Sequence, residues 1–569
     1  MKKNILVSTL FIVVLSGCNI ERLPHGSYSS NKIKEDPETS LEILLNGCYS
    51  QLQNSTDVMH RTGEYPGDNV MKQNATTNNF SQYMSYKHTA TNNHLPSVWK
   101  NGYKIIAQST NIIKMISEGE SKEINQKLGE AYFMRGMMYF YLCRIFGRPY
   151  YQEPDKNLGV PIVEVPNDLD NLQLPDRSTV KQVYEQVVAD LRKAESLMTI
   201  YKSPIYISKY AAQALLAKVY AYMSGTYENP NLEYSDSIFY YANKVIEEGP
   251  FEMLSRQNLM KYNEFAPDDR SQTETIFAIK RLDSEISNYN PVIGSMYATI
   301  QDVGWGEIYA SQKLIDLYNE TGFNDWKTQR FVDARAAFIH PQYSDNNLRV
   351  FRFVHEIYDK TGRLSGYTYK QFEIKEENGN LIAISGENKY ELSPIDAPNH
   401  RYSISFNGNT YEGVDDFYVN LNNGYPMFYS YKCSLETGIP QLHSPVISRL
   451  AEMYLLCAEA KAKEGKISEA KDFVNIVRGR AIIGGEYTDS DFTAENAKEL
   501  ILKERQLELA YEADRGFDVY RIGETMVRRY PGFYNTIWEI EPTSHLVVQL
   551  IPQSEINAYP GILTQNPLE

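Results

Sequence analysis

The chain has 569 residues, room for three or four domains at about 150 residues each. Its 57 Lys and Arg against 72 Asp and Glu give a net charge of −15, the wrong balance for neutralising nucleic-acid phosphates. Hydrophobic residues make up 42% and charged residues 23%, which excludes wholesale disorder, and five scattered Cys exclude a disulfide scaffold or a CxxC zinc site. The 44 Tyr, against 22 Phe and 4 Trp, suit surfaces that are both wet and apolar, although helix packing accounts for most of them.

Lys2 and Lys3 precede an apolar run from Ile5 to Leu15. Eleven residues fall short of the about 20 that a spanning helix needs, and they fit a secretory segment. The run ends in Leu15-Ser16-Gly17-Cys18, which resembles a bacterial lipobox, so cleavage before Cys18 and its lipidation are expected. Residues 1–17 are then signal peptide and 18–40 a polar, lipid-tethered linker, with no later stretch long enough to span a membrane.

From residue 41 the pattern is helical. Leu41, Leu44, Leu45, Cys48 and Leu52 share one face, and Trp99, Tyr103, Ile106, Ile113 and Ile116 share another. Residues 131–142 are apolar nearly all round, which predicts a helix at the centre of a bundle, stopped by Gly147 and Pro149. Two helix–turn–helix units follow, 211–223 with 235–248 and 445–463 with 468–480, similar to tetratricopeptide-type hairpins. Between them, Val350-Phe351-Arg352-Phe353-Val354 and Tyr402-Ser403-Ile404-Ser405-Phe406 alternate, with turn signals at 359–362, 378–379 and 407–408. That predicts a β-hairpin insertion over about 349–435. A last helix is expected over 493–512 with Thr493 as its N-cap. Its Glu504, Glu508 and Glu512 form an acidic stripe expected to meet Arg505, Arg515 and Arg521 in a structural ion network.

Several of these segments resemble one family. The helix 135–147 ending in Phe146-Gly147, the helix 449–460, the run from Glu504 through Arg515-Gly516-Phe517-Asp518 to Arg521, and the tail Ile551-Pro552-Gln553-Ser554-Glu555-Ile556 with Leu563-Thr564-Gln565-Asn566-Pro567 are similar to SusD/RagB-like proteins. The resemblance implies a mostly α fold, a SusD-like helical body with tetratricopeptide-type hairpins carrying the β-hairpin insertion. It divides the chain into an N-terminal helical region at 41–270, a loop- and β-rich ligand-facing region at 271–444 and a C-terminal SusD/RagB-type region at 445–569. It also implies an outer-membrane lipoprotein facing the cell exterior, one that captures oligosaccharides for a partner TonB-dependent β-barrel transporter. Peptide capture and a purely structural assembly role are the alternatives. The acidic run that often follows the lipidated Cys in surface-exported members is weak, with Glu21 alone nearby.

No HExxH, G-x-S-x-G, P-loop or G-x-G-x-x-G pattern is present, so no catalytic residue, metal or cofactor is expected. Asp415-Asp416 is a metal candidate on paper, but a solvated turn is the plainer reading. A glycan binder needs flat rings for C–H faces and amides or carboxylates for hydroxyls. Trp305 lies between Gly304 and Gly306, close in sequence to Tyr309, Tyr289, Asn288 and Asn290, and Trp326 follows beside Asp325. These residues form the first candidate platform. Tyr65, Tyr83 and Tyr86, in amide-rich surroundings, form the second. Trp99, on a helix face, and Trp538 are weaker candidates.

Overall fold

A computed structural model describes residues 36–72, 81–163, 175–286, 292–532 and 537–568. Cys18 and the linker's first residues lie outside the described residues, as do Asn288, Tyr289 and Asn290.

The helical body is built from α1 (Pro37–Glu64), α2 (Leu95–Met115), α3 (Lys122–Phe146), α4 (Val180–Leu197), α5 (Lys209–Met223) and α6 (Leu232–Glu248). Shorter helices α7 (Ile293–Tyr297) and α8 (Gln312–Tyr318) follow. The chain then closes with α9 (Leu450–Lys463), α10 (Ile467–Ala481), α11 (Ala497–Leu509) and α12 (Arg515–Arg521). Ser121 caps α3 by accepting from the Ile124 N–H, and nearly every side chain from Ala131 to Phe146 is buried. Phe140 sits at that centre, edge-on to Tyr184 of α4 and Tyr222 of α5. A central helix without a polar face can persist only when neighbours cover it on all sides.

Two predicted boundaries shift. The segment Val446–Arg449 (β15), expected as the start of a helix, is a strand paired with β2 (Thr275–Ala278), and α9 begins at Leu450. Helix α11 starts at Ala497, since residues 493–496 form a turn whose Asn496 side chain accepts from the Thr493 N–H. The acidic stripe is buried in ion pairs, but not with the arginines nearest in sequence. Glu504 meets Arg335 and Arg478, Glu508 meets Arg449 and Arg480, and Glu512 meets Arg449 and Lys432. Arg505 and Arg521 instead hold Asp518, and Arg515 holds Asp68. Burial alone would raise the carboxyl of Glu508, but Arg480, Arg449 and Arg335 outweigh it and hold that carboxyl well below the usual range.

Short strands β1 (Val70–Lys72) and β3 (Ile308–Ala310) pair antiparallel, as do β4 (Ile339–Pro341) and β14 (Phe428–Ser430). Two further short pairs are β12 (Leu421–Asn422) with β13 (Tyr425–Pro426) and β16 (Met526–Val527) with β17 (Glu539–Ile540). Between β4 and β12 run β5 (Arg349–Tyr358), β6 (Leu364–Glu377), β7 (Asn380–Ser385), β8 (Asn388–Glu391), β9 (Ser393–Asp396), β10 (Arg401–Phe406) and β11 (Asn409–Phe417). They form one antiparallel sheet of seven strands in the order β8-β7-β6-β5-β11-β10-β9, a larger unit than the expected hairpins. Alternate residues of this sheet, among them Phe351, Phe353, Phe372, Ile374 and Ile404, build a core of their own on one face. Its other face meets the short strands, where the Tyr369 hydroxyl donates to Met71 Sδ of β1 and Arg352 pairs with Asp416 and covers the Phe428 ring of β14. Asp415 is likewise consumed, by Arg349.

The four Cys among the described residues are free and buried, and burial pushes the thiols of Cys48 and Cys143 up to about 12. Cys433 lies in a turn after β14 rather than in a helix.

Candidate functional site

The loop between α7 and β3 is pinned from within. Ile300 and Val303 exchange both backbone hydrogen bonds, at 2.9 and 3.0 Å, around Gln301 and Asp302, whose φ values are 52° and 61°. Two non-glycine residues in the left-handed region form a type I′ turn, a conformation costing about 1–3 kcal/mol per residue that persists only under tight constraint. The carbonyl of Ser295 accepts from both the Trp305 and Gly306 N–H groups, at 2.7 and 3.0 Å. Gly304 has φ 104°, and a Cβ there would lie 2.3 Å from the Ala298 carbonyl oxygen. At Gly306 a Cβ would approach the Tyr429 ring to 2.9 Å. Glycine is therefore required at both positions, and the backbone leaves the Trp305 indole facing solvent with 52% of its surface exposed.

Hydrogen-bonding groups and a ring lie against the Trp305 loop, with further rings along the neighbouring strands. Gln301 and Asp302 are exposed at the turn just before it. Tyr429 packs beneath the loop, its ring 5.9 Å from that of Tyr309, and the Asn422 amide donates to the Tyr309 hydroxyl. Two residues along from Tyr429, half-buried Tyr431 stacks on His340 at 3.7 Å and 13°. Burial pushes the His340 ring down to about 4, so it is neutral at physiological pH. Beside Trp305, Glu307 pairs with Lys72 at 3.3 Å, and burial nonetheless lowers that ammonium from its ordinary value.

Most of the other candidate rings are core. Tyr309 is fully buried in β3 and contributes from behind the loop. Trp326 is buried and donates its indole N–H to the Ala336 carbonyl, while Asp325 closes its own turn by accepting from the Lys327 and Thr328 N–H groups and the Arg330 guanidinium. Tyr65 caps the end of α1 and receives a hydrogen bond from Arg61, Tyr83 is fully buried, and Tyr86 donates to the Pro66 carbonyl under the Arg528 guanidinium. The second candidate platform is thus an internal joint, because α1 runs to Glu64 and the following Asp68 and Asn69 are buried against Arg515 and Gln506. Trp99 packs on Tyr103 and Phe146. Sequence reasoning missed Tyr429, Tyr431 and His340. The alternation Phe428-Tyr429-Ser430-Tyr431 was the available signal for the first two.

Known proteins share this architecture. Residues 25–221 match a family described as "Starch-binding associating with outer membrane", and residues 273–568 match the SusD family. A SusD-like protein of Bacteroides ovatus is 23% identical, with 95% of this chain and 86% of the relative aligned. A SusD superfamily structure from Bacteroides thetaiotaomicron superposes with a TM-score of 0.68 at 26% identity, covering 93% of this chain and 99% of that one. A putative sugar binding protein from Bacteroides vulgatus gives 0.66 at 21%, covering 93% and 98%. No helix among the described residues is long and apolar enough to cross a membrane. With its SusD match extending over more than half of its length, the chain belongs to the SusD family.

Proposed function

We propose that this protein is a lipid-anchored, outward-facing outer-membrane lipoprotein that binds oligosaccharides and delivers them to a TonB-dependent transporter, without catalysing their cleavage. The observation that carries the binding reading is Trp305, a large flat ring held open to solvent by a strained loop pinned by backbone hydrogen bonds. An exposed aromatic on a rigid backbone loses little conformational freedom when a sugar's C–H face stacks on it. Gln301 and Asp302 supply the neighbouring hydroxyl partners, and Asn288, Tyr289 and Asn290 are assigned to the same surface by sequence alone. Leu15-Ser16-Gly17-Cys18 supports the lipid anchor, and membership of the SusD family supports both the sugar ligand and the transporter. The pairs α5–α6 and α9–α10 are read as tetratricopeptide-type hairpins that present this surface, with ligand-facing duties concentrated in 271–444.

Stacking on one ring contributes on the order of 1–2 kcal/mol, so Trp305→Ala is expected to weaken glycan binding about tenfold or more. Isothermal titration of the soluble mature protein against a glycan and peptide panel, paired with melting curves, tests this. Binding of peptides alone would sink the sugar reading.

A further inference from the structure

Away from Trp305, a cleft of about 570 Å³ lies between α8 and the face of the seven-stranded sheet that carries Val354 and Val414, with Val527 and Tyr530 in its wall. A second chamber of about 470 Å³ continues it along the same seam, with Asn399 lining both.

The charged side chains of the cleft are almost all satisfied. Lys313 pairs with Asp68, Arg401 with Glu412, Glu320 with Lys503 and Arg529 with Glu539. The adjoining chamber is satisfied in the same way, through Arg349 with Asp415 and Arg330 with Asp325. The exceptions lie one helical turn apart on α8. Gln312 is 8% exposed, and its side-chain oxygen has no hydrogen-bond partner although its amide donates to Asp316 at 2.7 Å. Among the described residues that donation is the one hydrogen bond to Asp316, which has no ion pair there and lines the cleft. Enclosure by the walls pushes the Asp316 carboxyl up to about 6 even though solvent reaches it, so it is ionised at neutral pH.

Gln312 Oε1, an acceptor without a donor on a side chain nine-tenths buried, and the Asp316 carboxylate, which accepts from the Gln312 amide alone among the described residues, mark the place where a ligand's O–H groups would be bound most strongly, since an unmade bond at a buried polar atom is costly. The flanking Leu317, Val354 and Val414 offer apolar surface for C–H groups. Lys313, Arg401 and Arg529 balance Asp316, Glu320 and Glu412, and with the cations already paired none is free for a carboxylate or phosphate. That balance disfavours a charged ligand.

We propose that this seam is a second binding site, separate from the Trp305 surface, and that it takes a neutral, hydroxyl-rich unit of a carbohydrate chain whose adjacent hydroxyls donate to Gln312 Oε1 and the Asp316 carboxylate. It rests on the reading of the protein as a glycan binder and extends it. Trp305 and Gln312 are seven residues apart across β3, a span of at most about 23 Å of extended chain, so a long oligosaccharide can engage both while a short one cannot.

The test uses the soluble mature protein and linear neutral oligosaccharides of glucose, xylose, mannose and galactose, each in a short and a long form, titrated calorimetrically. Wild type is expected to bind the long form of its preferred sugar more tightly than the short form. Asp316→Ala, which removes an exposed side chain and leaves melting unchanged, and Gln312→Leu are each expected to abolish that length-dependent gain, a loss of about tenfold, while short-form binding persists. Long-form affinity unchanged in both variants, with Trp305→Ala still weakening it, overturns the second site and leaves the glycan reading standing. Failure of wild type to bind any of these sugars overturns both.

Discussion

Glu64 ends α1 with its carboxylate fully buried, accepting from the Asn69 amide at 2.9 Å and the Ala513 N–H at 3.1 Å, and burial pushes it up to about 7. A folded value above the ordinary 4.5 means that the native protein holds a proton that the unfolded chain has released. The corresponding stabilisation is complete below about pH 4.5 and is lost as pH rises through about 7. Glu64→Gln, neutral throughout, should therefore melt close to wild type near pH 4 and above it near pH 9. A melting difference independent of pH would contradict the assignment. At this same scale, Trp305 was legible because two glycines flank it, leaving no local side chain to cover it. Tyr65, Tyr83 and Tyr86 were misread because amide-rich surroundings look alike in a ligand loop and in a buried polar joint. Only the distant Arg515 and Arg528 distinguish the two.

Among the elements, the Trp305 loop and α11 carry the sharpest expectations. Gly304→Ala forces a side chain against the Ala298 carbonyl at a φ of 104°, so the loop must move. A stability loss of about 1–3 kcal/mol is expected, with weakened glycan binding even though Trp305 itself remains. Unchanged affinity would mean that the loop's geometry is irrelevant to the ligand. Glu508→Ala leaves Arg449 and Arg480 buried without that partner, and urea unfolding should report a loss of about 3–5 kcal/mol. Helical and strand periodicities placed α5, α6 and α10, the C-terminal end of α3, and strands β5 and β10 within a few residues, since each depends on its own apolar pattern, while α3 starts at Lys122, nine residues before its fully apolar stretch. The start of α9 was missed because β15 exists only by pairing with β2, about 170 residues earlier in the chain. Partners of the acidic stripe were missed for the same reason, since Arg335 and Arg449 are brought to it by the fold and not by helical spacing.

For the whole molecule, the helical body supplies a rigid frame, and the Trp305 loop and the seven-stranded sheet supply the exposed chemistry. Cys18→Ala should move the protein from the membrane fraction to the soluble fraction, and retention of the variant in the membrane would contradict the lipid anchor. Extraction of the intact lipoprotein in mild detergent should bring a TonB-dependent transporter with it. The claim on which the rest depends is that this frame holds Trp305 out for a sugar. Calorimetric titration of wild type and Trp305→Ala with the best-bound oligosaccharide of a panel, alongside melting curves, addresses it most directly. We expect affinity to fall about tenfold or more with melting nearly unchanged, against a loss of about 3–5 kcal/mol of stability for the core variant Phe140→Ala. A Trp305→Ala protein that melts early and binds its sugar as tightly as wild type would contradict the account.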